Sequence, residues 1–331
     1  MKKLEEKEWK YWIPSAGRAE NIKTVDYLLS IGVPKENINI MVRDDEYEAY
    51  NSKYKGMVHI LPEQQTKNIG IIRNGIVKLC NFENNINCIL DDDTTSFLIW
   101  TNDGTKYGNR AKVTNIKDWQ NRYIEVLNLL DLDLVPAIGQ RAGGSNFLFQ
   151  KCLTEEITYF GSLSGSCFVV LDPEFQFINH SFYEDKLTCY DYWVKGKVTP
   201  IINNLGMLRL PERTSKGGID YKSIAKEIEE AVDWGAEYFP FTEKRLTNEK
   251  YRAYQPYQPC ELYTNKFRIL KYLASIGIDH KYIPAEYKKK AKRKSLFEWK
   301  IKSNPWLDYF SFYNISFNSL TACFKAVLKS L

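Results

Sequence analysis

The sequence predicts an α/β fold with a mostly parallel sheet, and three observations predict it. Short apolar runs alternate with stretches of helical spacing, the signature of repeated strand, helix, strand units. One such run, Cys88-Ile89-Leu90, stops at three consecutive carboxylates, Asp91-Asp92-Asp93, and open α/β sheets bind their ligands beyond the carboxyl ends of the strands. The 331 residues, 44% of them hydrophobic, suffice for a packed core and about two domains.

Taken in order, Trp9 to Ile13 is the first expected strand, broken at Pro14-Ser15-Ala16-Gly17-Arg18. Ile22, Val25, Leu28 and Leu29 then keep helical spacing up to Gly32-Val33-Pro34, where a glycine and a proline end a helix. Ile38 to Val42 and Val58 to Leu61 are expected strands, with a polar helix or turn over Asp44 to Tyr54 between them. Asn68 to Phe82 carries Ile72, Ile76 and Leu79 on one helical face and leads into the strand before the carboxylates. Phe97 to Thr101 predicts a short strand, Asn102 to Thr114 a loop, Asp118 to Leu130 an amphipathic helix, and Val135 to Ile138 a strand before a loop at Arg141 to Ser145. Cys167 to Leu171 is a buried strand ended by Asp172-Pro173, and Glu184 opens a helix that Gly196 closes. Thr214 to Gly218 predicts a glycine-rich loop and Tyr221 to Trp234 a helix. From about Pro256 the pattern changes to helical segments, Lys266 to Ile276 and Ser319 to Leu328. The expected division is an α/β domain over 1–255 and a helical, basic region over 256–331, with no internal repeat.

Composition narrows the function classes. No apolar run approaches the roughly 20 residues of a membrane span, and the charged stretch Met1 to Lys10 carries no apolar leader, so a soluble, unprocessed protein of the cytoplasm is expected. Seven cysteines without a C-x-x-C pair signal neither a zinc knuckle nor a disulfide framework. The net charge of +5 is local in origin. Residues 288–302 hold eight basic residues and one acid, a local +7 that leaves the rest of the chain at −2. That run suits a phosphate backbone and equally suits a solvated helix face. The apolar, aromatic stretch Trp306 to Leu331 is expected to pack on the rest of the chain or to form a dimer contact.

Three adjacent carboxylates repel one another unless something positive joins them, and a hard divalent cation that also holds a phosphate is one resolution. In an extended segment residues two apart point the same way, so Asp91 and Asp93 are expected to converge on one ligand while Asp92 faces elsewhere. A solvated acidic turn is the other reading of the same triplet.

The order of short motifs carries further. Ile13-Pro14-Ser15 with Arg18, Arg73-Asn74 ahead of the acidic triplet, Tyr183-Glu184-Asp185 opening a helix, and Thr214-Ser215-Lys216-Gly217-Gly218 with Asp220-Tyr221 and Trp234 beyond it resemble the GT-A glycosyltransferases. More narrowly, the chain over residues 9–240 resembles the TET-associated glycosyltransferases of phages. The resemblance implies a Rossmann-like sheet with helices on both faces and a metal-dependent transfer of a sugar from a nucleotide-diphosphate sugar. It implies that Asp91 contacts the ribose, that Asp93 with Asp91 ligates Mg²⁺ or Mn²⁺, and that Arg73, Arg18 and Ser15 stand near the donor. Lys216, Gly217 and Gly218 would close over the donor as a mobile loop, and an ordinary turn is the competing reading. His180 either completes the metal shell or is a hydrogen-bonded structural residue. Glu184 and Asp185 are acids of a first helical turn, which suits capping. Within the family pattern they lie beneath the acceptor, Asp185 as base and Glu184 as positioning acid.

The family's setting implies an acceptor hydroxyl on an oxidised pyrimidine of phage DNA, such as 5-hydroxymethylcytosine. The basic run and the aromatic residues around Arg252 and Gln255, from Tyr251 to Tyr257, suit phosphate contact and base stacking, though a packed linker reads the same way. The alternatives are transfer to a protein, a glycan or a base-linked sugar, and a non-catalytic DNA-binding protein on the same scaffold.

Overall fold

The computed structural model describes residues 3–66, 68–101, 109–142, 155–163, 166–180, 182–210, 225–247, 260–279 and 281–285. In chain order, β1 (Glu8–Pro14), α1 (Lys23–Ser30), β2 (Ile38–Val42), α2 (Tyr47–Lys53), β3 (Val58–Ile60), α3 (Ile69–Leu79) and β4 (Asn85–Leu90) alternate as expected. There follow β5 (Thr94–Thr101), β6 (Asn109–Lys112), α4 (Ile116–Leu129), β7 (Ala137–Ala142), β8 (Ile157–Thr158), β9 (Cys167–Val170), α5 (Glu184–Val194) and β10 (Ile201–Arg209). Last come α6 (Ala225–Tyr238), β11 (Glu243–Leu246), β12 (Cys260–Tyr263) and α7 (Lys266–Ser275).

One sheet runs β3-β2-β1-β4-β9-β7-β10-β5-β6, with β8 joined to β10. The four strands β3, β2, β1 and β4 are parallel throughout. β9 is antiparallel to both β4 and β7, and β10 is parallel to β7 but antiparallel to β5. From Ile86 to Leu90 every residue of β4 is buried, so both of its faces are covered, the condition in which a continuous apolar run replaces alternation. Beside it the core is aromatic: Phe97 stacks on Trp119 at 4.5 Å between centroids, and Trp9 meets the same indole edge-on at 5.3 Å.

The parallel half decides where ligands meet the chain. β1, β2 and β4 end on one edge of the sheet, and the segments that leave those ends carry Ser15 to Lys23, Glu46 to Tyr50 and the acidic triplet. Two features differ from expectation. Asn109–Lys112, expected as loop, pairs with β5 as an exposed strand next to it in the order; exposed on every residue, it shows no alternation because no face of it is buried. Ile201–Arg209 carries Asn203, Asn204 and Gly206, residues that disfavour strands, yet it joins β5, β7 and β8 because Asn203 Nδ2 is satisfied by the Glu155 carbonyl at 2.7 Å.

The described residues divide into two compact units, the first ending at Ala231 and the second beginning at Val232, earlier in the chain than 255. The second unit contains the antiparallel pair β11 and β12 as well as α7, so Cys260–Tyr263, within the stretch expected to be helical, is a strand. The segments Thr214 to Gly218, Tyr251 to Tyr257, 288–302 and Ser319 to Leu328 lie outside the described residues.

Helix α3 begins where Asn68 Oδ1 accepts from Gly70 N and Ile71 N at 3.0 and 3.2 Å, a side-chain N-cap. A Cβ on Gly70 would stand 2.7 Å from the Ile178 carbonyl oxygen and 3.5 Å from Glu184 Cβ. Glycine is therefore required for α3 to approach the start of α5. Gly70→Ala is expected to destabilise the fold by about 1–3 kcal/mol in urea denaturation, the range for overpacking a tight contact; a change near zero would show that the two segments separate freely.

Candidate active site

Asp91, Asp92 and Asp93 form a turn between β4 and β5 and not an extended segment, so the two-residue alternation expected for them does not apply. The turn is fastened by Thr24 in the first turn of α1. Its Oγ1 donates to the Asp91 carbonyl at 2.6 Å and accepts from Thr94 N at 2.8 Å, while its own amide donates to the Asp92 carbonyl at 3.3 Å. On the other side Leu210 N donates to the Asp93 carbonyl at 3.0 Å. With the backbone held at both ends, each carboxylate takes a different surrounding.

Asp92 faces the loop after β1. It pairs with the Arg18 guanidinium, and Oδ2 accepts from Ser15 Oγ at 2.7 Å. The Tyr50 hydroxyl accepts from Arg18 N at 2.8 Å and stands 3.0 Å from Ser15 Oγ. Because the serine proton goes to Asp92, the tyrosine proton goes to the serine, a relay Tyr50 to Ser15 to Asp92. Burial lifts the Asp92 carboxyl to about 6, against the pull of Arg18 and Ser15. Ser15 and Arg18, expected at the donor, are thus committed to the carboxylate expected to face away. Arg18 still lines a cleft of about 590 Å³ together with Asn21, Lys23, Glu46, Tyr50 and Leu210, a volume in the range of small-ligand sites.

Asp91 faces the opposite way. Its Oδ1 accepts from Arg73 Nη2 at 3.2 Å, and its Oδ2 lies 3.7 Å from Arg209 Nη1. Arg73, 3% exposed, also pairs with Glu184 and lies 5.6 Å from each of the Phe168 and Phe177 ring centres. Burial opposes its charge, but Glu184, Asp91 and Asp185 outweigh burial and hold the guanidinium protonated. The neighbouring Asn74 exchanges two hydrogen bonds with the Phe177 backbone, donating at 3.0 Å and accepting at 2.7 Å. The Arg73-Asn74 pair therefore docks the segment before α5. The Arg73 side chain, expected near the donor, is enclosed by carboxylates and rings.

Tyr183 precedes α5 with φ 59° and ψ 12°, a left-handed conformation that no other non-glycine residue adopts among the described residues and that costs about 1–3 kcal/mol. Glu184 then turns inward to Arg73, and burial first, Asp185 second, push its carboxyl up. Asp185 is less enclosed, and its Oδ1 accepts from Lys186 N at 2.7 Å. The first turn of α5 thus holds one acid in the interior and the next nearer solvent.

Asp93 Oδ1 is buried and accepts no hydrogen bond; burial first, then Asp91, push the Asp93 carboxyl up. An oxygen with free lone pairs beside a second carboxylate fits a hard divalent cation, and a magnesium-like ion needs only one or two carboxylates when phosphates complete its shell. Asp93 and Asp91 could hold one. Among the described residues no three His, Cys, Asp or Glu side chains, His180 included, gather as a ligand set. The His180 imidazole is shifted down by burial, with Glu230 as the opposing charge. Lys216, Gly217 and Gly218 lie outside the described residues. Thr24, Tyr50 and Arg209 escaped sequence reasoning, since a hydroxyl inside a helix pattern and an arginine at a strand end give no local signal.

The model of the TET-associated glycosyltransferase family matches residues 10–217, which contain the acidic turn, Arg73 and the start of α5. The chain belongs to that family of glycosyltransferases. No individual curated protein matches it in sequence. Among solved structures it is similar to the mannosyltransferase PcManGT from Pyrobaculum calidifontis, in complex with GDP-Man and Mn²⁺, at 12% identity over 90% of this chain and 87% of that one, with a TM-score of 0.41. It is also similar to a mycobacterial protein at 12% identity over 78% of this chain and 83% of that one, with a TM-score of 0.39. Among the described residues no helix is long and apolar enough to cross a membrane.

The buried pair gives a test. Arg73→Met leaves Glu184 as an unpaired interior carboxylate and is expected to cost about 3–5 kcal/mol of stability. Arg73→Met combined with Glu184→Met removes both charges and should recover most of that loss in denaturant unfolding. Equal instability of the single and double variants would show that the ion pair is not what the site rests on.

Proposed function

We propose that this glycosyltransferase moves a sugar from a nucleotide-diphosphate sugar, with a divalent metal, to the hydroxyl of a 5-hydroxymethyl pyrimidine in phage DNA. The observation that carries the reading is the joining of two carboxylate sites through one buried guanidinium, Asp91 on one side and Glu184 next to Asp185 on the other. Membership of a TET-associated family supports the oxidised pyrimidine as acceptor.

In this reading the nucleoside occupies the cleft beyond β1 and β2, with Arg18 and Lys23 on its wall. Asp93 and Asp91 hold the cation, Mn²⁺ or Mg²⁺, which stabilises negative charge developing on the departing nucleoside diphosphate. Asp185 accepts the proton of the attacking hydroxyl, a role that needs a carboxylate within hydrogen-bond reach and open to the acceptor. Glu184 is withdrawn onto Arg73 and positions Asp185 without touching substrate. A base in duplex DNA would have to leave the stack for its hydroxymethyl group to reach Asp185, and the basic run at 288–302 supplies charge for the phosphate backbone.

Incubation with a panel of nucleotide sugars and duplex DNA carrying unmodified or 5-hydroxymethyl pyrimidines, with Mn²⁺ or EDTA, followed by nucleoside mass spectrometry, tests this. A hexose or pentose mass gain on the modified base alone is expected, abolished by EDTA and by Asp93→Ala. Asp185→Asn should slow transfer by about 10²- to 10⁴-fold, the usual contribution of a general base. Metal-dependent hydrolysis of one sugar nucleotide with no gain on DNA would remove DNA as the acceptor.

A further inference from the structure

We propose that Arg209, at the end of β10, is the guanidinium that receives the donor's diphosphate, an assignment that rests on the donor-site reading above. Three arginines surround the acidic turn, and they differ in what they can still bind. The Arg73 side chain is 4% exposed and the Arg18 side chain 11%, each closed onto a carboxylate. The Arg209 side chain is 35% exposed, and its one ion pair among the described residues is the 3.7 Å approach to Asp91 Oδ2. At that length the pair is not a hydrogen bond. The donors of Arg209 therefore remain open to a better acceptor.

The backbone supports the same assignment. The pairing of β10 with β5 slips between Leu208 and Arg209, so that Arg209 stands opposite Thr94, the residue that follows Asp93. Such irregularities re-aim side chains next to active sites. The next residue, Leu210, is bonded to the Asp93 carbonyl and lines the cleft. Arg209 is thus fixed between the carboxylates that would share a cation and the mouth of the nucleotide cleft, and its charge already acts on Asp93. A guanidinium fork matches phosphate oxygens with two parallel bonds. Once a cation takes the Asp91 and Asp93 oxygens, a diphosphate becomes the stronger partner for Arg209 than Asp91.

Titration calorimetry of the full chain with inorganic pyrophosphate, UDP and GDP, each with Mn²⁺, and with uridine and guanosine as phosphate-free probes, decides the matter. Arg209→Gln is expected to weaken pyrophosphate and nucleoside diphosphate binding tenfold or more, with nucleoside binding and Tm unchanged, and Arg209→Lys should fall between. Lys78→Gln, at a lysine 72% exposed, is the control for net charge. Diphosphate binding by Arg209→Gln within twofold of the native chain overturns the assignment, as does an equal loss of nucleosides and diphosphates. Were Arg209→Gln less stable, Arg209→Lys at native Tm takes its place, and diphosphate binding by it as strong as that of the native chain would overturn the assignment. Failure of the native chain to bind any diphosphate with Mn²⁺ would overturn the donor-site reading itself.

Discussion

The site depends on one buried guanidinium held between two carboxylates, Arg73 between Asp91 and Glu184. Removing three charges from water is expensive, and the attraction between them returns that cost only when the geometry leaves few alternatives. Here several features restrict it. Asn68 caps α3 and Asn74 binds the Phe177 backbone. Gly70 leaves room for the approach of Ile178 and Glu184. The rings of Phe168 and Phe177 flank the guanidinium. Each of these brings the end of β4 and the start of α5 to one residue of α3. The two carboxylate sites are consequently one rigid assembly.

The other two arginines extend the same logic outward. Three adjacent acids would repel strongly, and three arginines offset them at different depths: Arg73 in the interior beside Asp91, Arg18 at an intermediate depth beside Asp92, and Arg209 nearer solvent, also beside Asp91. The first two fix the shape of the turn, because ion pairs shielded from water are screened little by salt. The third is long and open, where such a pair contributes little to stability. Asp93 alone keeps a buried oxygen without a donor. The turn is therefore electrostatically complete on its inner side and incomplete where a ligand would enter.

Much of this was legible in the sequence, for identifiable reasons. Continuous apolar runs such as Ile86 to Leu90 announce strands that are covered on both faces, and the acidic triplet, Arg73-Asn74 and Glu184-Asp185 stood out as charged residues at element ends. What the sequence withheld is the direction each side chain takes. A turn at Asp92 and Asp93 stands where an extended segment was expected, and Ser15 and Arg18 meet Asp92. Arg73, expected near the donor, is among the most enclosed charges described. β10 was missed because its Asn203 is satisfied by partners far away in sequence, Thr158, Arg141 and a carbonyl 48 positions away, which no local pattern reveals. Thr24 and Tyr50 act through hydroxyls whose acceptors are likewise set by tertiary packing.

The split between Glu184 and Asp185 follows from helix geometry rather than from chemistry. Neighbouring residues of a helix do not share a face, so two acids in a first turn cannot both be buried against α3 and both be open. The left-handed Tyr183 sets the angle at which the chain enters α5, and that angle sends Glu184 inward to Arg73 and leaves Asp185 less enclosed. The inward acid anchors the helix through its pairing with Arg73, and the outward acid takes its position from the same helix. A pair that reads in sequence as two equivalent carboxylates is in the folded chain one buried acid paired with Arg73 and one less enclosed.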